Sequence, residues 1–578
     1  MWKPSSRSLA LLLAVLACYV VAAAFVENRY YQIVLASVPI WASLATSWNV
    51  FSGYSGLGSF GHASFFGFGA FTITLLQIYA GVNPWIGLLA ATVVGAVIAV
   101  AIGLVTFRLR GHYFALAMLA YPLSLMYVFE WLGFHEISIP LNRENPLLYM
   151  QFSDPFHYTL LSVGVLAICA VASLFIERSR FGLILQTIKQ DEMAAKASGI
   201  NLLYWKTLAL AISGAMGSAA GAIYVSVLLV TTAREVFGVF VSASALIFAM
   251  FGGAGSFWGP LIGAVILVPL SEALRASVGD ALPALEGVVY GAAIVLVAKL
   301  MPEGIFWRLY DLVVARKPRR STEPSIPIVA PAEPGVPGSL VLSNISLAFG
   351  AVHVAKDISL TVEAGSITGI VGPNGAGKTS LFNIVSGFLT PSEGDIVLNG
   401  ASVKALGTHA RALNGLGRTF QVARVFGRLS VFDNVLAGAT AKTPDMDEAR
   451  KLAAWAAHIA ELDDCLDMPA SQVSAFQVRL IEIARAVAGR PTVLLLDETL
   501  AGLSHDEAFE IVRIVKKLRD QGITIVIIEH TMSAMVQLVD RMIVLDQGSL
   551  LADGPPKEVL RDKRVITAYL GSKWAAHA

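Results

Sequence analysis

The stretch Gly372-Pro373-Asn374-Gly375-Ala376-Gly377-Lys378-Thr379 decides the fold of the C-terminal half. It fits the pattern G-x-x-x-x-G-K-[ST] at every fixed position. Just upstream, Ile367 to Val371 reads as a strand, and Thr379 to Val385 reads as the start of a helix. In that context, glycines let backbone N–H groups converge on phosphate oxygens, and the helix N-terminus adds a favourable dipole. The nucleotide-binding set read from it is Gly372, Pro373, Asn374, Gly375, Ala376, Gly377, Lys378, Thr379 and Ser380. Lys378 is expected to reach the β and γ phosphates, and the Thr379 hydroxyl to ligate Mg²⁺. ATP and Mg²⁺ are the expected substrate and metal.

Working outward, Val493-Leu494-Leu495-Leu496-Asp497-Glu498 is a buried strand ending in two acids, about 120 residues after the loop. Asp497 fits the carboxylate on the Mg²⁺ side, and Glu498 the group that orients and deprotonates the attacking water. From Leu340 onward, short β-branched runs alternate with amphipathic helices, which implies an α/β sheet. Ala315 to Gly338 is basic and then proline-rich, and reads as an extended solvated tether that can touch anionic lipid through Arg316 to Arg320. The expected boundaries are 1–310, 311–338 and 339–578.

Upstream of residue 310 the chemistry changes. The chain has 578 residues, with 56% hydrophobic and 14% charged, and nearly all the imbalance lies in residues 8–306. Apolar windows near 20 residues suit helices crossing a hydrocarbon core about 30 Å thick. The candidates are 8–25, 32–48, 57–80, 85–107, 112–133, 157–176, 206–229, 240–251 with 258–275, and 285–301. Gly252 to Pro260 interrupts the 240–275 block, where a single straight helix is not expected. Lys3 and Arg7, Arg108 and Arg110, the Arg178 to Lys196 set and the Arg316 to Arg320 set mark cytoplasmic segments. These agree with about ten crossings, the C-terminal half lying in the cytoplasm. The fold class is thus an all-α polytopic membrane domain with glycine-interrupted helices, followed by an α/β P-loop ATPase domain.

Charged residues within the apolar runs are too scarce for a proton relay or a voltage sensor. Glu130 and His135 are expected to face external water, with a substrate contact as the alternative. A net charge of +1 gives no footing for nucleic acid, and three dispersed cysteines give none for a disulfide framework or a zinc site. His62 reads as a structural, hydrogen-bonded histidine. The patches Gly56 to Ala70 and Gly255 to Gly259 suit either close helix packing or a pathway lined by broken helices. A nucleotide motor joined to such a domain implies energy-coupled transport.

Asn49 to Phe71, Arg108 to Leu116, Ser179 to Gly182 and Gly252 to Ala264 resemble the permease subunit of branched-chain (LIV-type) amino acid ABC importers. The resemblance covers most of residues 30–306 and implies a cytoplasmic coupling helix near Gln190 to Ser198, with Glu192, Ala194, Ala195 and Gly199. One external loop, Leu132 to Pro140, departs from the family's glycine-rich polar loop. Residues 340–571 resemble the ATPase subunit of the same family, through Arg418-Thr419-Phe420-Gln421, Ile528-Glu529-His530 and Val565 to Gly571. The resemblance implies that Gln421 senses Mg²⁺ and contacts the permease, that His530 contacts the γ-phosphate, and that Phe349 stacks on adenine. It also implies that a second motor domain presents a Ser-Gly-Gly-Gln helix start to the nucleotide.

Here that segment reads Val473-Ser474-Ala475-Phe476-Gln477. Ser474 and Gln477 keep their places, but Phe476 stands where a glycine lets backbone approach phosphate, and Thr499 replaces proline after Glu498. The resemblance therefore implies a second permease subunit, a second ABC ATPase with an intact signature, and an external solute-binding protein, in a bacterial inner membrane. The expected activity is ATP-driven import of branched-chain or other hydrophobic amino acids. The competing readings are an ABC exporter half, import of an aromatic acid, amide or urea-like solute, and an ATPase that gates a channel.

Overall fold

The computed structural model describes residues 6–278 apart from 110 and 143, short pieces between 288 and 299, residues 304–314, and residues 336–570. The chain forms two compact units. One comprises residues 2–189 with 203–319, and the other residues 190–202 with 320–578.

The first unit is helical. Among the described residues, eight helices are long and apolar enough to cross a membrane, and Trp258–Ala273 is a shorter apolar one. The expected span 285–301 and the tether lie largely outside the described residues. The expected span 57–80 starts late: residues 56–61 are irregular and the helix is His62–Ala80. The preceding helix, Arg29–Trp48, runs on as a π-helical turn over Asn49–Gly53. The 240–275 block is broken as the glycines require, into Val239–Gly252 and Trp258–Val278.

Small residues set the packing. A Cβ on Gly69 would lie 1.9 Å from the Ser218 carbonyl oxygen, and one on Gly221 would lie 2.0 Å from that of Phe66. The helices His62–Ala80 and Leu202–Leu228 thus touch backbone to backbone, the approach that membrane helices use in place of a hydrophobic drive. Asn49 ties the break in place: its Oδ1 accepts from Gly255 N at 2.8 Å and its Nδ2 donates to Ser256 O at 2.9 Å. Glu177 Oε2 accepts from Phe257 N and from the Tyr54 hydroxyl, and Trp307 Nε1 donates to Ala254 O. These bonds satisfy backbone groups that the glycine turn frees, as a low-dielectric interior demands. His62 is fully buried between the Ser59 and Ser213 hydroxyls, a structural role. Glu130 pairs with Arg234 at 2.7 Å. Near it, β1 (Glu136–Ser138) pairs antiparallel with β2 (Val230–Thr232).

The second unit carries two sheets. An antiparallel one is formed by β3 (Leu340–Phe349), β4 (Val352–Val362), β6 (Glu393–Leu398) and β7 (Ala401–Ser402), in the order β4-β3-β6-β7. The other contains β5 (Ile367–Val371), β8 (Leu416–Arg418), β9 (Val493–Asp497), β10 (Thr524–Ile528), β11 (Arg541–Asp546) and β12 (Ser549–Gly554). Its order is β12-β11-β5-β10-β9-β8, with only the β11–β12 pair antiparallel. β5, β9 and β10 are buried at every residue, as a sheet covered on both faces requires. The loops leaving their C-terminal ends carry the chemistry, the general placement of ligands in such sheets.

Candidate active site

β5 delivers the glycine loop, and the helix Lys378–Val385 follows it directly. Gly375 and Gly377 take positive φ, +82° and +98°. A Cβ on Gly377 would lie 2.4 Å from Val354 O, so the turn demands glycine. Lys378 Nζ donates to the carbonyls of Gly372 at 2.7 Å and Pro373 at 3.0 Å, folded over the loop it serves. Burial lowers the Lys378 ammonium, while Glu498 and Asp497 oppose that shift.

β9 ends on Asp497, which is 1% exposed. Its Oδ2 lies 3.4 Å from Arg418 Nη2, and its Oδ1 is buried without a hydrogen-bond partner among the described residues. Burial pushes this carboxyl above its usual range, against the pull of Arg418. An enclosed carboxylate oxygen with an unused lone pair suits a hard divalent cation. Asp497 therefore fits the Mg²⁺ role expected of it.

Glu498 lies one residue further, in the left-handed conformation with φ +48°. That conformation costs a non-glycine residue roughly 1–2 kcal/mol. It carries the side chain between two others: Gln421 Nε2 donates to Oε2 at 2.9 Å, and His530 Nε2 lies 3.1 Å from Oε1. Three residues spaced over about 110 positions thus meet around one carboxylate, as a general base with two orienting partners would need. Phe349 ends β3 and is 54% exposed, so it is no core residue. Ser474 and Gln477 form a separate pair, a capping box that opens the helix Ala475–Ala488.

The family profile described as "Branched-chain amino acid transport system / permease component" matches residues 30–298, and that described as "ABC transporter" matches residues 355–501. A third, "Branched-chain amino acid ATP-binding cassette transporter", matches residues 549–575. The high-affinity branched-chain amino acid transport ATP-binding protein BraF of Pseudomonas aeruginosa is 34% identical over 248 residues, 40% of this chain and 97% of that protein. The chain belongs to the branched-chain amino acid ABC transporter family. It joins the family's permease and its ATP-binding cassette in one polypeptide. The cassette is also similar to the lipopolysaccharide export system ATP-binding protein LptB of Escherichia coli, at 37% identity over 237 residues, 40% of this chain and 97% of that protein. Among solved structures, the ADP conformation of MJ1267, an ATP-binding cassette of an ABC transporter, is 28% identical over 41% of this chain and 99% of that one, with a TM-score of 0.38.

In this ABC transporter chain, the segment expected as a coupling helix folds as Glu192–Ala197 and belongs to the cassette's compact unit. Asp191 caps it, accepting from Ala194 N, and its other oxygen takes Arg424 Nη1 at 2.7 Å. Gln190 Oε1 accepts from Arg428 N at 2.8 Å. Arg424 in turn donates its N–H to Glu482 on the Ala475–Ala488 helix, and Arg479 of that helix holds the Phe420 and Gln421 carbonyls. A chain of polar contacts therefore runs from Asp191 to the backbone of Gln421.

Sequence reasoning missed Arg411. It is fully buried and donates to the carbonyls of Leu406, Ile384, Val385 and Lys404. Two of these belong to the last turn of the phosphate-loop helix, where a cation complements both the orphan carbonyls and the dipole. Arg418 acts beside it, bonding Asn383 and Ser386 between the rings of Phe388 and Phe420. An arginine in a mixed segment gives no sequence signal of burial.

Proposed function

We propose that this chain imports a small solute across a bacterial inner membrane, driven by ATP hydrolysis in its cassette. Branched-chain or other hydrophobic amino acids are the solutes favoured, and the permease match over residues 30–298 carries that reading. The hydrolytic part of the proposal rests on Glu498, held between Gln421 and His530. Glu498 takes a proton from the attacking water, and Gln421 and His530 fix its orientation. Lys378 and the loop N–H groups offset charge on the transferred phosphoryl group. Thr379, Asp497 and Gln421 would hold Mg²⁺, which when bound neutralises phosphate charge.

The cassette acts in a pair. Phe476 at the signature position disfavours two identical composite sites, so the partner proposed is a different ATPase with an intact signature. A second permease and an external solute-binding protein complete the assembly. Motion of the motor pair passes through the Gln190–Leu202 segment. Export is the second reading, supported by the cassette's likeness to LptB. The test is uptake of labelled leucine by vesicles holding the assembled complex and its solute-binding protein. Accumulation supports import. Release of a preloaded solute or lipid, with no accumulation, supports export instead.

A further inference from the structure

Glu529 is a carboxylate with only 2% exposure. It follows β10 and precedes His530. Its Oε1 accepts the Leu500 N–H at 2.7 Å. Leu500 lies two residues beyond Glu498, in the turn that leaves β9. Burial pushes the Glu529 carboxyl up to about 7, the Leu500 and His530 amides pull it down, and the Glu498 charge adds to the rise.

The turn at residues 498–500 holds a non-glycine residue at positive φ, which persists only where surroundings over-determine it. Three consecutive residues supply that constraint. Ile528 O accepts from Glu498 N at 2.9 Å, Glu529 Oε1 accepts from Leu500 N, and the His530 ring meets Glu498 Oε1. Thr499, between the two anchored amides, is fully buried. An apolar residue at 529 would fill the space, but it would orphan the Leu500 N–H and free the second anchor.

We infer that Glu529 is a positioning residue for hydrolysis: its bond to Leu500 fixes the left-handed turn that aims the Glu498 carboxylate between Gln421 and His530. This rests on the hydrolytic role proposed for Glu498. Accepting the N–H needs an oxygen at that reach and no charge. Glu529→Gln keeps such an oxygen, while Glu529→Ala and the shorter Glu529→Asp do not.

The test is steady-state ATP hydrolysis by the complex recovered from its host membranes through a tag on this chain, with fluorescent ATP-analogue binding measured alongside. Glu529→Ala is expected to lower kcat at least about tenfold, with KM for ATP and analogue binding within about threefold. Glu529→Gln is expected to keep more than about half of the wild-type kcat. Should Glu529→Ala fail to fold, Glu529→Asp carries the same expectation. Wild-type kcat in the Ala or Asp variant overturns the inference. So does Glu529→Gln falling as far as Glu529→Ala, because the carboxylate's charge would then be the active element. A complex otherwise wild type whose hydrolysis survives Glu498→Gln overturns the proposed hydrolytic site itself, a different outcome from either.

Discussion

Arg424 Nη1 lies 2.7 Å from Asp191 Oδ2, joining the Gln190–Leu202 segment to the loop that carries Gln421. The Arg424 side chain is 39% exposed, so this pair contributes at most about 1 kcal/mol to stability. Its position is what matters. Asp191→Arg is expected to reduce solute uptake several-fold more than ATP hydrolysis, and Asp191→Arg with Arg424→Asp to recover part of the coupling. Uptake per ATP hydrolysed, measured in proteoliposomes, checks this. An unchanged ratio in the single variant would remove the pair from the coupling route.

Arg411 is a different case, because nothing exposed dilutes it. Burial lowers its guanidinium to about 10, which leaves it charged at neutral pH. Arg411→Ala orphans carbonyls at the end of the phosphate-loop helix and opens a cavity, and is expected to destabilise the cassette by about 3 kcal/mol or more. Arg411→Lys, a single point of charge, restores only part of that. Thermal unfolding of the full chain in detergent, with and without ATP, reads the difference.

Phe476 stands near the N-terminus of the Ala475–Ala488 helix. Glycine there removes the ring but leaves the Ser474–Gln477 capping box intact. In preparations of this chain alone, Phe476→Gly is expected to raise ATP hydrolysis at least about tenfold. Equal rates would contradict the mixed-pair assembly.

Much of this is legible in the amino-acid sequence. The glycine loop, the acid-terminated strand and the break between residues 252 and 258 are local patterns whose physics is complete within a few residues. What escaped depends on contacts between distant segments. Arg411 is buried because the end of the Lys378–Val385 helix needs donors, and Glu529 because the turn after β9 needs an acceptor. β1 and β2, three residues each, are too short to show any alternation. Residues 57–61 are apolar enough for a span, yet their glycines release them from the helix. A helix at Glu192–Ala197 falls within the segment Gln190 to Ser198 singled out in the sequence, but its grouping with the cassette is not visible there.

Glu529 also makes a pH-dependent cost. Its ordinary carboxyl value is 4.5 and burial raises it to about 7 in the folded chain. The folded state therefore binds the extra proton between those values, and stability attributable to this group falls as pH rises from about 4.5 to 7. Above that window the loss levels off at roughly 3 kcal/mol. Glu529→Gln is accordingly expected to be more stable than wild type at pH 8 and nearly equal at pH 4.5. Denaturant midpoints at the two pH values check the sign.

The central claim is that hydrolysis at Glu498 drives solute movement through the permease of the same assembly. Its most direct test is uptake against a concentration gradient in proteoliposomes, comparing wild type with Glu498→Gln at saturating ATP. The account predicts accumulation by wild type, and ATP binding without hydrolysis or accumulation by the variant. Equal accumulation by the two would contradict it.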